Sequence, residues 1–347
     1  MSKNENITFK DYWYIACESR ELDSKKPLAR KILDEWIVLF RDKNGNPSCF
    51  QDRCIHRNSQ LSKGWVKDGK LQCSYHGWVF DGEGKLNAIP SEGQNQHKVG
   101  GRCAVTYEAV EREGFIFVRL NNNPKNQTTP FPSPKYKEKG FETVRLFNKF
   151  NNSVINCAEN YIDVPHTVFV HDKIFRDALD EEINCKVVRK DAMVEIEYLG
   201  ESDNLGWFSW FLNPRKVPIV HIDSYYAPNI TSVKYIIDKK EFWITSQSIP
   251  ISEHETWVWT DLTYNFGHPI INKMAKPIVK FQGQSVIDQD IVVLDNQSKV
   301  IKKYGENFSN ATADVVHVLI ESLYNSVKDG KDPRELGEKE VEVKFWI

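Results

Sequence analysis

Two short segments decide how this sequence is interpreted. They are Cys54-Ile-His56 and, after sixteen intervening residues, Cys73-Ser-Tyr-His76-Gly-Trp78. Each segment holds one Cys and one His, in the order C-x-H and then C-x-x-H. Thiolate sulfur and imidazole nitrogen are ligands that transition metals prefer, and a glycine directly after the second His allows the chain to turn sharply behind it. The two segments therefore predict one metal site, carried on two loops.

Two kinds of metal site use these ligands, and the spacing separates them. Structural zinc sites usually pair like with like, as C-x₂₋₄-C and H-x₃₋₅-H. Here each pair mixes Cys with His, as in a Rieske [2Fe–2S] cluster, in which two His replace two Cys on one iron. Because His ligation raises the cluster potential, this site is predicted to carry single electrons. The cluster is the favoured interpretation and structural zinc is the alternative.

Length and charge limit the possible function classes. A chain of 347 residues can form two domains with separate cores. Its net charge of −2 offers no basic excess to neutralise phosphates, which argues against a nucleic-acid-binding protein. No apolar run approaches the length of a membrane span, and residues 1–10 lack the apolar core of a secretory signal. The remaining cysteines show no pairing pattern, which favours reduced thiols in a cytoplasmic protein.

The chain divides into two regions of different character. Residues 8–120 contain short runs rich in β-branched and aromatic residues, separated by turn signals, and both metal-binding segments lie among them. Residues 121–140 hold three consecutive Asn and four Pro, as expected of a connection. The predicted organisation is a β-domain over 1–122, a linker over 123–140 and a second domain over 141–347.

The second region mixes strands with helices. A hairpin is predicted from 242 to 264, with further strands at 207–212 and 217–226. Helical patterns follow at 270–304 and 313–327. The predicted fold class is therefore α+β. A curved antiparallel sheet packed against long helices would enclose a cavity for a substrate.

A second metal site is predicted where His166 and His171 follow Asp163. Two His and one carboxylate bind non-haem Fe(II) and leave open positions for oxygen. Pro165 disfavours helix at Val164, so this segment is expected to start on a helix and end in a loop, which would let both imidazoles converge. The H-x₄-H spacing is weak by itself. Beside an electron carrier that needs an acceptor, however, it predicts an iron site.

The carboxylate of this site must come from elsewhere, and the helix after residue 270 offers Asp288 and Asp290. On a helix the neighbours of a residue lie three and four positions away. Those of Asp290 are all apolar, whereas those of Asp288 are mixed. Because an acid among apolar neighbours is costly to bury unless it is paired or bound to a metal, Asp290 is the favoured ligand and Asp288 the alternative.

Together these motifs resemble the oxygenase component of the Rieske non-haem iron oxygenases. The form of the motifs is most similar to the homotrimeric branch that includes vanillate, dicamba and toluenesulfonate monooxygenases and the saxitoxin-pathway hydroxylases. The resemblance implies an all-β Rieske domain followed by a helix-grip (START/Bet v 1-like) catalytic domain with a curved antiparallel sheet. It implies the [2Fe–2S] ligands Cys54, His56, Cys73 and His76, and the Fe(II) ligands His166, His171 and Asp290.

The resemblance also implies roles for two residues beside the iron ligands. Asp163 matches a bridging carboxylate that links a cluster His of one subunit to an iron His of the next, with a helix-end cap as the alternative role. Asn160 matches a position near the iron. Electrons would leave the cluster through His76 and cross the subunit interface by way of Asp163.

The implied activity is hydroxylation or oxidative demethylation of a small to medium organic molecule with O₂. Electrons would come from a separate NAD(P)H-dependent reductase, directly or through a ferredoxin, because this sequence contains no G-x-G-x-x-G nucleotide loop. The alternatives are a cis-dihydroxylating dioxygenase, a non-catalytic Rieske electron-transfer protein and a helix-grip lipid or sterol carrier.

The substrate itself is not predicted by the sequence. Six aromatic residues of the second region would either line the pocket or fill the core, with the core favoured for each, namely Trp207, Phe208, Trp210, Tyr225, Trp243 and Trp257. Four further histidines belong to no motif and are interpreted as surface or supporting residues, namely His221, His254, His268 and His317.

Overall fold

The computed structural model describes residues 6–93, 99–126, 128–171, 182–200, 213 and 215–346. These belong to two compact units, Met1–Pro132 and Ser133–Ile347. The boundary falls inside the expected linker, where the described residues between Arg119 and Glu142 form no helix or strand. Prolines and asparagines favour turns and irregular backbone over regular elements. None of the described helices has the length and apolarity needed to cross a membrane.

The N-terminal unit is built from antiparallel strands, as its β-branched and aromatic runs predict. The larger of two sheets has the strand order β1-β10-β9-β4-β3-β2, and the smaller has the order β5-β6-β7-β8. The first predicted metal-binding segment follows β4, and the second joins β6 to β7. The strands are β1 Tyr14–Glu18, β2 Leu28–Ile32, β3 Glu35–Arg41, β4 Pro47–Gln51, β5 Trp65–Lys67, β6 Lys70–Gln72, β7 Val79–Phe80, β8 Leu86–Ala88, β9 Thr106–Arg112 and β10 Phe115–Arg119.

One apolar core of the N-terminal unit reaches both metal-binding loops. It joins Phe40 and Phe50 of the larger sheet to Phe80 of the smaller one, and it includes Cys54 and Cys73. The rings of Phe40 and Phe50 meet edge to face at 5.0 Å, a favourable aromatic arrangement. The loops are therefore anchored by their own cysteines, which are packed into the core.

The C-terminal unit is an antiparallel sheet with helices, so the predicted α+β class is confirmed. Its strand order is β11-β17-β16-β15-β14-β13-β12-β18. The predicted hairpin is β16–β17, the predicted helices are α3 and α4, and the strand expected at 207–212 lies outside the described residues. The elements are β11 Glu142–Phe150, α1 Val154–Asn160, α2 Thr167–Val170, β12 Glu182–Lys190, β13 Met193–Leu199, β14 Ile219–Tyr226, β15 Ile230–Ile237, β16 Lys240–Ser252, β17 Glu255–Asn265, α3 Pro269–Tyr304, α4 Val315–Lys328 and β18 Lys339–Trp346.

Local sequence defines both ends of the long helix α3. Pro269 occupies its first turn, where a missing N–H costs nothing. The His268 side chain caps it by accepting a hydrogen bond from the backbone N of Ile270 at 3.2 Å. Gly305 ends it with φ +81°, a conformation that glycine adopts without strain. The helix is thus one continuous element of 36 residues.

The buried side chains of α3 are three, four, seven or eight residues apart, so they share one face, as required of a helix that packs on a sheet. Val279, Ile287 and Leu294 join a core with Val258 and Leu262 of β17. Asp290 lies on this same buried face. The packing of α3 therefore carries an acidic side chain into the interior of the unit.

The segment that carries both predicted iron histidines differs from the expectation of a helix that ends in a loop. Helix α1 ends at Asn160, and a second helix of one turn, α2, follows Pro165. His166 and His171 flank α2 as its two capping residues. Proline excludes helix from the residue before it but is well accepted at the start of the next helix, so the chain resumes helical geometry after Pro165.

Candidate metal centres

The structure brings the four predicted cluster ligands together. The Cys54 and Cys73 side chains are 1 % exposed, and their thiols are within hydrogen-bonding reach of each other. The ring centroids of His56 and His76 lie 4.4 Å apart. His56 is half-buried and His76 is exposed, so the two imidazoles form the solvent-facing side of the group.

Backbone hydrogen bonds and one indole hold these loops in place. The backbone N of Cys73 donates to the Trp78 carbonyl at 2.9 Å, and that of Gly77 donates to the Cys73 carbonyl at 3.1 Å. Gly77 has φ +71°, which favours glycine. The Trp78 ring stacks on the His56 ring at 4.5 Å with an interplanar angle of 4°. The indole therefore covers one of the predicted ligands.

Two observations test whether a cluster fits these residues. The Nδ1 atom of His56 is buried and has no hydrogen-bond partner within the described part of the chain. An unpaired buried nitrogen is costly, and a metal ion would satisfy it. Burial also raises the pKa of the Cys54 thiol to about 11, so this thiol requires a metal to become a thiolate near neutral pH. The donor set fits a [2Fe–2S] cluster of the Rieske type.

In the C-terminal unit, His166, His171 and Asp290 form a compact group of potential ligands. Their ligand atoms all lie within 4.8 Å of one another. Asp290 Oδ1 is 3.1 Å from His171 Nε2 and 3.5 Å from His166 Nε2. His171 and Asp290 are buried, with exposed fractions of 2 % and 5 %. Two imidazoles and one carboxylate that converge in this way can hold one non-haem Fe(II).

The alternative carboxylate, Asp288, is not part of this group. It is exposed and accepts a hydrogen bond from Gln284 Nε2 at 2.7 Å. Two residues along a helix correspond to a rotation of about 200°, so Asp288 and Asp290 point to opposite sides of α3. The geometry therefore favours Asp290.

Each imidazole of the group is oriented by an oxygen at its other nitrogen. Asp163 Oδ2 lies 3.1 Å from His166 Nδ1, and Gln289 Oε1 lies 2.8 Å from His171 Nδ1. With Nδ1 bound in this way, Nε2 of both rings is directed to the centre. The sequence did not single out Gln289, because nothing in it distinguishes this glutamine from the others on α3.

Asn160 completes the surroundings of the carboxylate. Its Nδ2 donates to Asp290 Oδ1 at 3.4 Å, so the residue lies near the predicted iron position. The opposite end of α1 is held against α3 by Asn152, which lies just before the helix and whose Nδ2 donates to the Leu294 carbonyl at 2.9 Å. This hydrogen bond links α3, which carries Asp290, to the start of α1, and the segment with both histidines follows α1 in the chain.

The charges of the group stabilise one another. Burial opposes the charged form of His166, but hydrogen bonds to Asp163 and Asp290 outweigh it and raise the pKa of His166 to about 9. Burial likewise opposes the Asp290 carboxylate, yet hydrogen bonds from His166 and His171 outweigh it and lower the pKa of Asp290. A buried carboxylate needs positive charge beside it, which a bound cation can provide.

The group lines a cavity of about 210 Å³. Most of the other lining side chains are apolar and come from several elements, among them Ile162, Val233, Phe242, Ile244, Leu262 and Val286. Apolar walls with a few polar groups are typical of sites for small organic ligands. The geometry thus combines a potential metal site with a space for such a ligand.

The cavity wall contains a buried polar network that the sequence reasoning missed. His221 Nε2 lies 2.9 Å from Asp223 Oδ1, and Tyr198 Oη donates to Asp223 Oδ2 at 3.1 Å. The His221 ring is stacked between Tyr198 and Tyr235, with centroid distances of 4.2 Å on each side. In the sequence, this network is indicated only by the spacing of His221 and Asp223, which are two residues apart on one strand and therefore lie on the same face of the sheet.

The other unassigned histidines and aromatics lie elsewhere. His268 caps α3, His317 contacts Glu159 and His254 lies in the β16–β17 turn. Tyr225 is buried in the core, as favoured. Trp243 and Trp257 are not among the residues that line the cavity. The remaining candidates, Trp207, Phe208 and Trp210, are outside the described residues.

Comparison with known proteins assigns each unit to a family. Residues 12–108 match the Rieske [2Fe-2S] domain, and residues 153–321 match the vanillate O-demethylase oxygenase C-terminal domain. The chain is 32 % identical over 299 residues to the chloroplastic protein TIC 55 of Pisum sativum. This match covers 84 % of this chain and 52 % of that protein. It is 43 % identical over 109 residues to the vanillate O-demethylase oxygenase subunit of Pseudomonas sp. (strain HR199 / DSM 7063), covering 31 % of this chain and 29 % of that one.

A solved structure supports the same fold. Dicamba monooxygenase bound to dicamba superimposes with a TM-score of 0.74 at 21 % identity, over 93 % of this chain and 98 % of that one. The chain spans between half and three fifths of the length of two curated chloroplast relatives. Because a Rieske domain is followed by an oxygenase domain of the vanillate O-demethylase type, this chain belongs to the Rieske non-haem iron oxygenases.

Proposed function

We propose that this chain is the oxygenase component of a multicomponent monooxygenase that hydroxylates or oxidatively demethylates a small to medium organic molecule. A separate NAD(P)H-dependent reductase would supply electrons, directly or through a ferredoxin. The observation that carries the proposal is the convergence of His166, His171 and Asp290 on the wall of an apolar cavity. A protein that only transfers electrons or carries lipid needs no such group of ligands.

The proposed roles follow from the two groups of ligands. Cys54, His56, Cys73 and His76 would bind the [2Fe–2S] cluster, which accepts and passes on single electrons. His166, His171 and Asp290 would hold Fe(II), which would supply open coordination positions for O₂. The amide of Asn160 would hold the Asp290 carboxylate in place. The apolar walls would exclude water and place the oxidised carbon beside the metal.

The size of the cavity suggests the size of the substrate. An apolar cavity of about 150 Å³ holds benzene, so about 210 Å³ corresponds to a slightly larger molecule, such as a substituted single ring. Vanillate and dicamba, named in the relatives above, are molecules of this kind. We therefore propose a single-ring aromatic methyl ether or a similar compound as the first substrate class to test.

We propose that the chain works as a homotrimer, in which Asp163 links two subunits. The Asp163 side chain is 39 % exposed although one of its oxygens faces His166, and His76 is exposed at the other predicted end of the electron path. Both groups thus remain accessible to another copy of the chain. Light scattering should give roughly three times the chain mass of 40.3 kDa, and a monomer that is fully active would contradict the proposal.

A reducing compartment such as the cytoplasm is the proposed location. All seven cysteines are unpaired in the structure, and every one except Cys103 is buried. Proteins of oxidising compartments usually pair their cysteines. Relatives from chloroplasts make that organelle the location to compare with the cytoplasm when the tagged protein is imaged in its host.

An oxygen-uptake experiment tests the activity. Iron-loaded protein, a surrogate reductase and NADH would be screened against methyl ethers, N-methyl compounds and aryl-methyl compounds, with Asp290→Ala as the inactive control. We expect uptake that depends on one of these substrates, together with formaldehyde where a methyl group is removed. Isotope-labelled O₂ then separates a monooxygenase, which places one labelled atom in a hydroxylated product or in the released formaldehyde, from a cis-dihydroxylating dioxygenase, which places two in the ring product.

A further inference from the structure

Gln289 and Asp163 contact the two candidate iron histidines in the same way but differ in charge. Each places an oxygen at the Nδ1 atom of one imidazole, at 2.8 Å for Gln289 and 3.1 Å for Asp163. Asp163 is charged and its side chain is 39 % exposed, whereas Gln289 is neutral and faces His171, which is 2 % exposed. The inner imidazole is therefore supported by an uncharged group.

We propose that Gln289 is a positioning residue that fixes His171 as a ligand without adding charge to the buried side of the site. This inference rests on the function proposed above. When His171 Nε2 binds a metal, its Nδ1 carries the proton and can only donate. The matching partner is the Oε1 atom of Gln289, which can only accept. The hydrogen bond thereby selects one tautomer and one ring orientation.

The neutrality of Gln289 follows from its surroundings. Asp290, the next residue on α3, is already a carboxylate with 5 % exposure. A carboxylate at the half-buried position 289 would place a second negative charge beside it, and charges that are partly removed from water are costly unless they are paired. At Asp163 the same charge is tolerated because water reaches the side chain. An amide is thus the group that can orient His171 without this cost.

The position of Gln289 also couples the ligand to its support. Gln289 and Asp290 are consecutive residues of α3, which runs unbroken from Pro269 to Tyr304. One rigid element therefore supplies both a metal ligand and the partner of a second ligand. His166, in contrast, is supported by Asp163 from the connection between α1 and α2. We infer that His171 is the more rigidly held of the two imidazoles.

The experiment compares Gln289→Leu, Gln289→Glu and the control Gln284→Leu in the full chain with its cluster intact. Gln284 lies on the same helix but bonds Asn148 and Asp288, away from the ligands. Mononuclear iron is removed with a chelator, and Fe(II) is titrated back anaerobically. The readouts are the dissociation constant for Fe(II), the midpoint potential of that iron followed by its ferric EPR signal, and the thermal unfolding curve.

The expected results differ between the two variants. Gln289→Leu should weaken Fe(II) binding by roughly 10–100-fold, the usual effect of losing such a supporting hydrogen bond. Gln289→Glu retains an acceptor, so it should bind Fe(II) within a few-fold of the wild type while its added charge moves the midpoint potential lower. Gln284→Leu should change neither quantity.

Three outcomes would overturn this inference. They are a folded Gln289→Leu with wild-type Fe(II) affinity, an unshifted potential in Gln289→Glu, and losses in Gln284→Leu equal to those in Gln289→Leu. If Gln289→Leu does not fold, the midpoint potential of the mononuclear iron in Gln289→Glu is the measurement that tests the inference. Failure of the wild-type chain to bind Fe(II) would reject the proposed function itself and is recognised without any variant.

Discussion

At the scale of single residues, burial separates ligands from neighbours of the same type. Asp288 and Asp290 are two positions apart, but only Asp290 is buried beside two imidazoles. An unpaired carboxylate there would be strongly destabilising. The carboxylate is therefore stable because it contacts the imidazoles of His166 and His171 without metal and because a cation can neutralise it when bound. Substitutions in this group should therefore affect the mononuclear iron and leave the cluster in place.

Replacing His171 by Ala should remove the mononuclear iron and leave the cluster. The substitution deletes one of three ligands and leaves Asp290 with one imidazole partner, whereas the cluster loops belong to the other compact unit. Iron analysis should give one iron fewer per chain than the wild type, with unchanged cluster absorbance. Equal loss of both metals would contradict the assignment of His171.

Replacing Asp163 by Asn should slow electron transfer to the iron without releasing it. The Asn oxygen can still accept from His166 Nδ1, so the ring keeps its orientation, but the negative charge beside that imidazole is lost. We expect the rate at which iron and substrate reoxidise a reduced cluster to fall roughly 10–100-fold. Stopped-flow absorbance of the cluster measures this rate, and iron analysis provides the control. A wild-type rate would favour the helix-end cap as the role of Asp163.

At the scale of elements, close backbone contacts set the position of the metal-binding loops. Gly64 lies against the backbone carbonyl of Gln72, the residue directly before Cys73. A side chain at this position has no space, and the neighbouring atom is backbone that cannot rotate away. Cys73 in turn is fixed by hydrogen bonds to its own loop and by burial in the core. The loop geometry thus depends on a glycine outside the ligand motif.

Replacing Gly64 by Ala should therefore destabilise the N-terminal unit and lower its cluster content. Overpacking in a well-packed region costs about 1–3 kcal/mol, and we expect the upper end because the contact is with backbone. Urea unfolding followed by cluster absorbance measures the change in free energy. A methyl group at Gly45 would meet no described atom within 4 Å, but this residue has φ +82°, so Gly45→Ala is a control for backbone strain alone. A Gly64→Ala variant as stable as the wild type would show that the contact with Gln72 is unimportant.

At the scale of the whole molecule, each metal should stabilise the unit that binds it. With the proposed ligands, Fe(II) would bind only where His166, His171 and Asp290 are already together, and an unfolded chain does not hold them together. At free Fe(II) about 100 times the dissociation constant, the expected gain in the free energy of unfolding is about 2.7 kcal/mol. Thermal unfolding with and without Fe(II) measures it. His171→Ala is the control, and an equal gain in that variant would place the binding elsewhere.

The sequence by itself determined the nature of both metal sites and the class of the fold. The mixed Cys and His pairs are short-range patterns, and so are the turn signals and the helical periodicity of α3, because each depends on residues close together in the chain. The sequence predicted the order of the regions for the same reason. A β-rich region comes first, followed by a connection rich in Pro and Asn and then by an α+β region. The choice of Asp290 over Asp288 also followed from local helix geometry.

Only the tertiary structure decided which distant side chains meet. The contact between Gln289 and His171 joins residues 118 positions apart, and no local pattern distinguishes this glutamine from Gln282 or Gln284. The His221–Asp223 network became part of the cavity wall only when β14 took its place in the sheet beside β15. These features depend on packing between elements, which the linear order of residues does not contain.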